Sequence, residues 1–317
     1  MSSFLESLYG NGALLVMWSA LLFHLLIPIP SAAHPVRFWQ QIAALVADKV
    51  NSPSSTNEQQ HLAGWLALLL MLVPTGLVLW ALEPLVWKPE FYQLALLLLA
   101  IDWRNNEQYA HKLINALAQE DKANARRLLS TKVNRETNNL SLLGIGKAGS
   151  ETLLLSYARN VVGVLFWYGV SGGVGALLYR LTLELARNWS PSQKGFASFG
   201  KPIAWLFSLL DFAPQKLFSI LMFAGLPITS IKHAIMQAKS WHNPVTAWLI
   251  SGCAHRFELA LGGPAIYQGE KLQRARIGGK VAPSAYHLAL LQKHIAWRIY
   301  FWLVMQSLAM FIIHRGF

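Results

Sequence analysis

Between Leu62 and Val86 the chain reads LAGWLALLLMLVPTGLVLWALEPLV, a block whose single charge is Glu83. Such a block is predicted to cross about 30 Å of hydrocarbon as a helix, because a helix pairs every backbone N–H and C=O without help from water. Pro74 and Gly76 read as a tolerated kink. Comparable blocks are Ala13–Pro30, Val161–Leu181, Ile203–Leu226 and Trp297–His314, while Phe91–Ile101 is a shorter run that would cross, re-enter or lie on the surface. The expectation is an all-α, polytopic integral membrane protein of five or six spans. The first block is read as a retained helix, since residues 1–12 carry Glu6 and no Lys or Arg, so the basic region of a signal peptide is missing. Gly172, Gly173 and Gly175 would let a neighbouring helix approach closely. Asp211 and Lys216 are read as a charged pair inside the fifth block, at an interruption around Pro214 that is either a bend between two half-helices or a functional polar site.

Composition agrees with the blocks. Hydrophobic residues make up 54% of the chain and charged ones 13%, and mean hydropathy is +0.35, too apolar for a soluble domain, where about a quarter of residues are charged. The net charge of +12 points to topology rather than to nucleic acid, because the basic residues lie between the apolar blocks. Two connections are rich in Lys and Arg, one from Arg104 to Arg159 and one from Lys232 to Lys293, and both are expected on the cytoplasmic side. With six spans the loop at residues 31–61 shares that face. The chain is thus read as N-terminal membrane helices (1–101), a cytoplasmic helical arm (102–160) and C-terminal membrane helices (161–317) with a cytoplasmic loop at 227–295. In the arm, Leu113, Ile114, Leu117, Leu128 and Leu129 fall at helical spacing with charges between them. Trp18, Trp39, Trp65, Trp80, Trp87, Trp205 and Trp297 lie in or near the ends of the blocks, where an amphipathic ring suits the headgroup level.

Several chemistries find no support in the residues. Cys253 is the sole cysteine, so an internal disulfide and a thiolate cluster are excluded. GIGKAG at 144–149 fails as a phosphate loop, because Ser141 stands where the leading Gly is needed and Ala148 where a hydroxyl is needed. The ten histidines are scattered, and no DxD or ExxE arrangement offers a two-carboxylate magnesium site, so no metal site and no cofactor is identifiable. Asp211 and Lys216 are too little for a transporter. What remains is a set of loop features: HPVR at 34–37, VNRETNNLS at 133–141, KAGSET at 147–152 and LGGPAIYQGE at 261–270. Backbone amides of glycine loops approach anions closely and guanidinium groups bind them in pairs of hydrogen bonds, so these loops suit phosphate or carboxylate.

In this order and spacing the loops resemble the CobD/CbiB family of integral-membrane cobalamin-biosynthesis proteins. His-Pro-Val-Arg follows the first span; Val133, Asn134, Arg135, Glu136 and Thr137 are similar to the family's Val-Gly-Arg-Asp-Thr; Glu151 and Thr152 lead into the fourth block; Leu261, Gly262, Gly263, Pro264, Tyr267 and Gly269 complete the pattern. The resemblance implies a bacterial inner-membrane amide synthase that joins aminopropanol phosphate to adenosylcobyric acid with ATP and magnesium. It implies anion binding by His34, Arg37, Arg135, Thr137, Gly262, Gly263, Tyr267 and Gly269, with Glu151 a catalytic acid, base or metal contact. Partners would be membrane lipid and an anionic corrinoid or phosphate ligand.

The chain also departs from the family. PIPSA at 28–32 lacks its Gly-Asp-Pro acid, its Glu-Asn-Thr-x-Asp-Gly element falls on Leu155–Asn160 without either carboxylate, and its Lys-Ala-Val-Asn-Thr-x-Asp element falls on Arg180–Ala186 without its Asp. The alternative is a non-catalytic, AmpE-like membrane sensor on the same scaffold, which the stretches LFWYGVSGGVGALLYR and LLDFAPQKL also resemble.

Overall fold

The computed structural model describes residues 12–26 and 34–313. Its helices are α1 (Gly12–Leu26), α2 (Val36–Val50), α3 (Asn57–Leu82), α4 (Pro89–Ala100), α5 (Trp103–Ala118), α6 (Lys122–Ser130), α7 (Leu142–Tyr157), α8 (Val164–Asn188), α9 (Lys201–Phe223), α10 (Ile228–Ala238), α11 (Ala247–Arg256) and α12 (Ala285–Ile313). Four short strands lie between α11 and α12: β1 (Ala260–Gly262), β2 (Ala265–Tyr267), β3 (Glu270–Leu272) and β4 (Arg276–Gly278). The fold is mostly helical, as the sequence predicts.

Four described helical segments are long and apolar enough to cross a membrane: Asn57–Leu85, Leu142–Asn188, Lys201–Phe223 and Ala285–Ile313. The other two predicted blocks fall on α1 and α4. Of the predicted first span the described residues cover α1, which is apolar, while residues 27–30 lie outside the described residues. α4 has 12 residues and rises about 18 Å, so it cannot cross.

Local chemistry explains the boundaries. α3 opens on a capping box in which Thr56 Oγ1 accepts from Gln59 N and the Gln59 side chain accepts from Thr56 N. The predicted interruption at Pro214 does not occur: α9 runs through it. Proline removes the donor to the carbonyl four residues back, and the indole of Trp167 supplies a replacement, donating from Nε1 to Leu210 O at 3.1 Å. α7 and α8 are joined by a π-turn over Ala158–Gly163, and α8 kinks at Ser171–Gly172, where Gly172 has φ +67°. The small residues here do admit a close neighbour. A Cβ on Gly173 would lie 2.8 Å from Gln93 O of α4, and Gly173 N donates to Gln93 Oε1.

The chain divides into two compact units. The first comprises Met1–Arg104, Asn160–Leu210 and Leu303–Phe317; the second comprises Asn105–Arg159 and Asp211–Trp302. In the first, Ala43 and Ala47 of α2, Leu68 and Met71 of α3 and Leu185 of α8 pack around Trp189 and Phe199. In the second, α5 and α6 fold back at Glu120 (φ +55°), and Asp121 caps α6 by accepting from Asn124 N. Their apolar faces, including Leu113, Leu117 and Leu129, close on Ile145 and Leu153 of α7 and Leu288 of α12. GIGKAG therefore lies within a packed helix.

The glycine-rich stretch 261–279 forms two nested antiparallel ribbons, β1 with β4 and β2 with β3. Each has only two strands, in keeping with a sequence too rich in glycine for a central strand. The inner ribbon turns on Gln268 (φ +55°) and Gly269 (φ +82°), the pair of positive φ angles that a two-residue hairpin turn needs.

Candidate functional site

The second unit brings two of the predicted site residues, Arg135 and Gly262, to the carboxylate of a third, Glu151. Glu151 lies buried in α7, whose single carboxylate it is. Its Oε1 accepts from Gly262 N at 2.9 Å, and its Oε2 accepts from Arg274 Nη1 at 3.3 Å and lies 3.7 Å from Arg135 Nη2. Gly262 is at φ +74°, and a Cβ there would come within 2.2 Å of Ala275 O, so only glycine lets the ribbon meet α7 in this way. Gly263 follows at φ +93°; its carbonyl accepts from Arg274 Nε at 3.1 Å. One residue beyond Arg135, Glu136 takes the ribbon's tip: Glu136 N donates to Ile266 O at 2.8 Å, and Gly269 N donates to Glu136 Oε1 at 2.6 Å. Thr137 is buried, and its carbonyl accepts from Leu140 N. Tyr267 is half-buried within electrostatic reach of Arg135.

The charge in this cluster does not balance. Arg135 and Arg274, both with buried side chains, face the one carboxylate of Glu151. Burial holds the Arg135 guanidinium below its ordinary range; Glu151 opposes that shift and Arg274 adds to it. Burial pushes the His242 imidazole below its ordinary range; Arg274 adds to that shift and Glu151 opposes it. Arg274 lies over the Trp241 ring, 5.6 Å from its centroid, and its Nη2 is buried without an acceptor. A guanidinium nitrogen left in this state needs an oxygen, and an anion would supply it. Sequence reasoning missed Arg274, although it lies within the basic run QRAR that follows the glycines.

His34 and Arg37 belong to the first unit, where Arg37 is exposed. Burial and Arg180 push the His34 imidazole below its ordinary range, while Asp102 and Glu184 oppose that shift. These residues form a second polar centre. Arg180 donates to Asn160 Oδ1 at 2.6 Å and to Asp102 Oδ2 at 3.3 Å, and pairs with Glu184 Oε1 at 3.0 Å. Arg187 joins Glu184 Oε1 at 2.7 Å and Asn160 Oδ1 at 3.1 Å, and Gln40 donates to Glu184 Oε2 at 2.7 Å. The π-turn delivers Asn160 to this point, a common use of such turns. The motif positions that lack acids stay without them, but two other carboxylates stand here. Glu184 sits inside the stretch Arg180–Ala186 and Asp102 follows the short apolar run.

The expected Asp211–Lys216 pair does not form. Asp211, fully buried, pairs with Arg159 at 2.9 Å, whereas Lys216 donates to Pro244 O and lies over Trp248. A magnesium ion fits neither polar centre of the two units. It needs several oxygen ligands, but Asp102 and Glu184 already face Arg180, and Glu151 faces Arg135 and Arg274. Among the described residues no group of three or more His, Cys, Asp or Glu is placed to hold a metal.

Long apolar helices joined to basic, glycine-rich polar segments define a helical integral membrane protein. The family described as CobD/Cbib protein matches residues 17–294, and the chain belongs to that CobD/CbiB family. It is 30% identical over 270 residues to the cobalamin biosynthesis protein CobD of Stutzerimonas stutzeri, covering 85% of this chain and 88% of that one. It is 28% identical to the protein of the same name from Chromobacterium violaceum, covering 84% and 86%, and 27% identical to a probable CobD of Pyrococcus abyssi, covering 69% and 74%. No solved structure matches the chain.

Proposed function

We propose that the chain serves the amide-forming step of cobalamin assembly, in which the amine of an amino-alcohol phosphate joins the last free carboxylate of adenosylcobyric acid. In this reading it sits in the bacterial inner membrane with its basic loops toward the cytoplasm. Membership of the family and the names of its relatives support the pathway. The observation that carries the site is Arg274, whose buried Nη2 has no acceptor in a cluster with one positive charge in excess. Arg135 and Arg274 receive the anionic end of a substrate, and the backbone of Gly262 and Gly263 lets it approach. Glu151 is a positioning residue here, because its hydrogen bonds hold the ribbon and Arg274 in place. His34, Arg37, Thr137, Tyr267 and Gly269 stay in the proposal as further contacts.

A non-catalytic sensor on the same scaffold is the second reading. It is favoured by a donor set that does not fit magnesium, on which the family's ATP-dependent chemistry rests. Expression in a bacterium lacking its cobinamide-phosphate synthase, fed adenosylcobyric acid, separates the two. Corrinoid-dependent growth that Arg274→Gln abolishes supports the synthase. Absence of growth, with the wild-type protein present in the membrane, supports the sensor.

A further inference from the structure

A second concentration of positive charge lies in the second unit, and none of its groups touches the Glu151 cluster. At the C-terminal end of α9, Arg256 of α11 donates from Nε to Met222 O at 3.2 Å and from Nη2 to Ala224 O at 2.6 Å. Arg298 of α12 donates from Nη2 to the same Ala224 oxygen, also at 2.6 Å. Two guanidinium groups therefore meet on one carbonyl, and among the described residues no carboxylate forms an ion pair with either. Arg298 Nε donates to His294 Nε2 at 3.3 Å, so His294 faces the pair as an acceptor and adds no negative charge. The helix C-terminus offers partial negative charge and two carbonyl oxygens, which leaves two full positive charges side by side. Both arginines are half-buried, with surface left for a ligand.

The place of this pair on α12 says what the ligand is. Trp297, Tyr300 and Phe301 are exposed around Arg298, and Trp297 and Tyr300 pack edge to face. Before them α12 carries Lys293 and His294; after them it carries no charge to Ile313 and is apolar but for Gln306 and Ser307. Exposed Trp and Tyr at a switch from basic to apolar mark the headgroup level of a bilayer. We propose that Arg256 and Arg298 bind the phosphodiester of an anionic phospholipid, seated at the end of α9 and flanked by Trp297. A zwitterionic headgroup brings its own cation to the pair and binds less well.

The test uses the purified full chain in mixed micelles holding equal amounts of phosphatidylglycerol and phosphatidylcholine, with retained lipid counted by native mass spectrometry. The wild type is expected to retain phosphatidylglycerol in preference. Arg298→Gln should cut that preference about fivefold, and Arg256→Gln with Arg298→Gln should bring it close to parity. Should the double variant fail to fold, inorganic phosphate added to the wild type decides the matter. Adducts of phosphatidylglycerol that persist in excess phosphate support a lipid site; displacement at equal concentration makes it a site for soluble anions and overturns the proposal. Equal retention of the two lipids by the wild type, or an unchanged preference in a folded double variant, overturns it as well.

Discussion

The two polar centres are built from the same materials and come out differently. Around Arg180 two guanidinium groups meet two carboxylates, those of Asp102 and Glu184, with Asn160 and Gln40 filling remaining positions. Around Glu151 two guanidinium groups meet one carboxylate. Each centre leaves one buried guanidinium nitrogen without an acceptor, Arg180 Nε in one and Arg274 Nη2 in the other. The difference is therefore one of charge. A balanced network among helices stabilises its own arrangement, whereas an unbalanced one beside backbone that tolerates close approach is, on the proposed reading, stabilised by an incoming anion.

The contrast is broken most directly at Glu184. Glu184→Gln leaves Arg180 and Arg187 short of a carboxylate in a buried place and is expected to cost about 3–5 kcal/mol, read as a large fall in the thermal midpoint in detergent. A midpoint close to wild type would show that the first centre does not hold the fold. Arg274→Gln should do the opposite. Removing a charged hydrogen-bond donor from the site should weaken binding of aminopropanol phosphate by about 1.5–3 kcal/mol, or roughly tenfold to hundredfold, in titration calorimetry with a small change in midpoint. Equal affinity in the variant would place the anion elsewhere.

Gly262→Ala sharpens the geometric side of the comparison. Its Cβ meets a backbone oxygen at 2.2 Å in a left-handed conformation, so a loss of about 1–3 kcal/mol is expected, with faster proteolytic cleavage between Ala260 and Gly278. The smallest effect concerns pH. Burial lowers the folded pKa of His242, so the unfolded chain binds more protons; the associated stability is present above roughly pH 6.5 and is lost as pH falls below it. His242→Gln should flatten that acid slope in melts taken between about pH 7 and 5. An unchanged slope would assign it to other groups, His34 first among them.

Much of this was legible beforehand where the cause is local. Apolar runs announced α3, α9 and α12, and helical spacing in 102–150 announced α5 and α6. Motif spacing brought forward Arg135, Glu151, Gly262 and Gly263, which do meet. Charge partners were not legible. Asp211 has Lys216 close by in sequence, yet it pairs with Arg159, because five residues along a helix turn the side chain about 140° away, which directs Lys216 toward Trp248 and leaves the buried carboxylate to the π-turn. Arg274, one basic residue among several, looked like any other in its loop until the ribbon register set it against Glu151.

The sequence by itself determined the solvent for which this chain is made, since long uncharged blocks are stable only where backbone groups pair within helices. It also marked the loops rich in glycine and arginine, because those residues have their properties wherever they stand. Only the tertiary structure decided which charges are neutralised. Neutralisation depends on distances of about 3 Å between residues such as Glu151 and Arg274, and packing sets those distances while sequence separation does not.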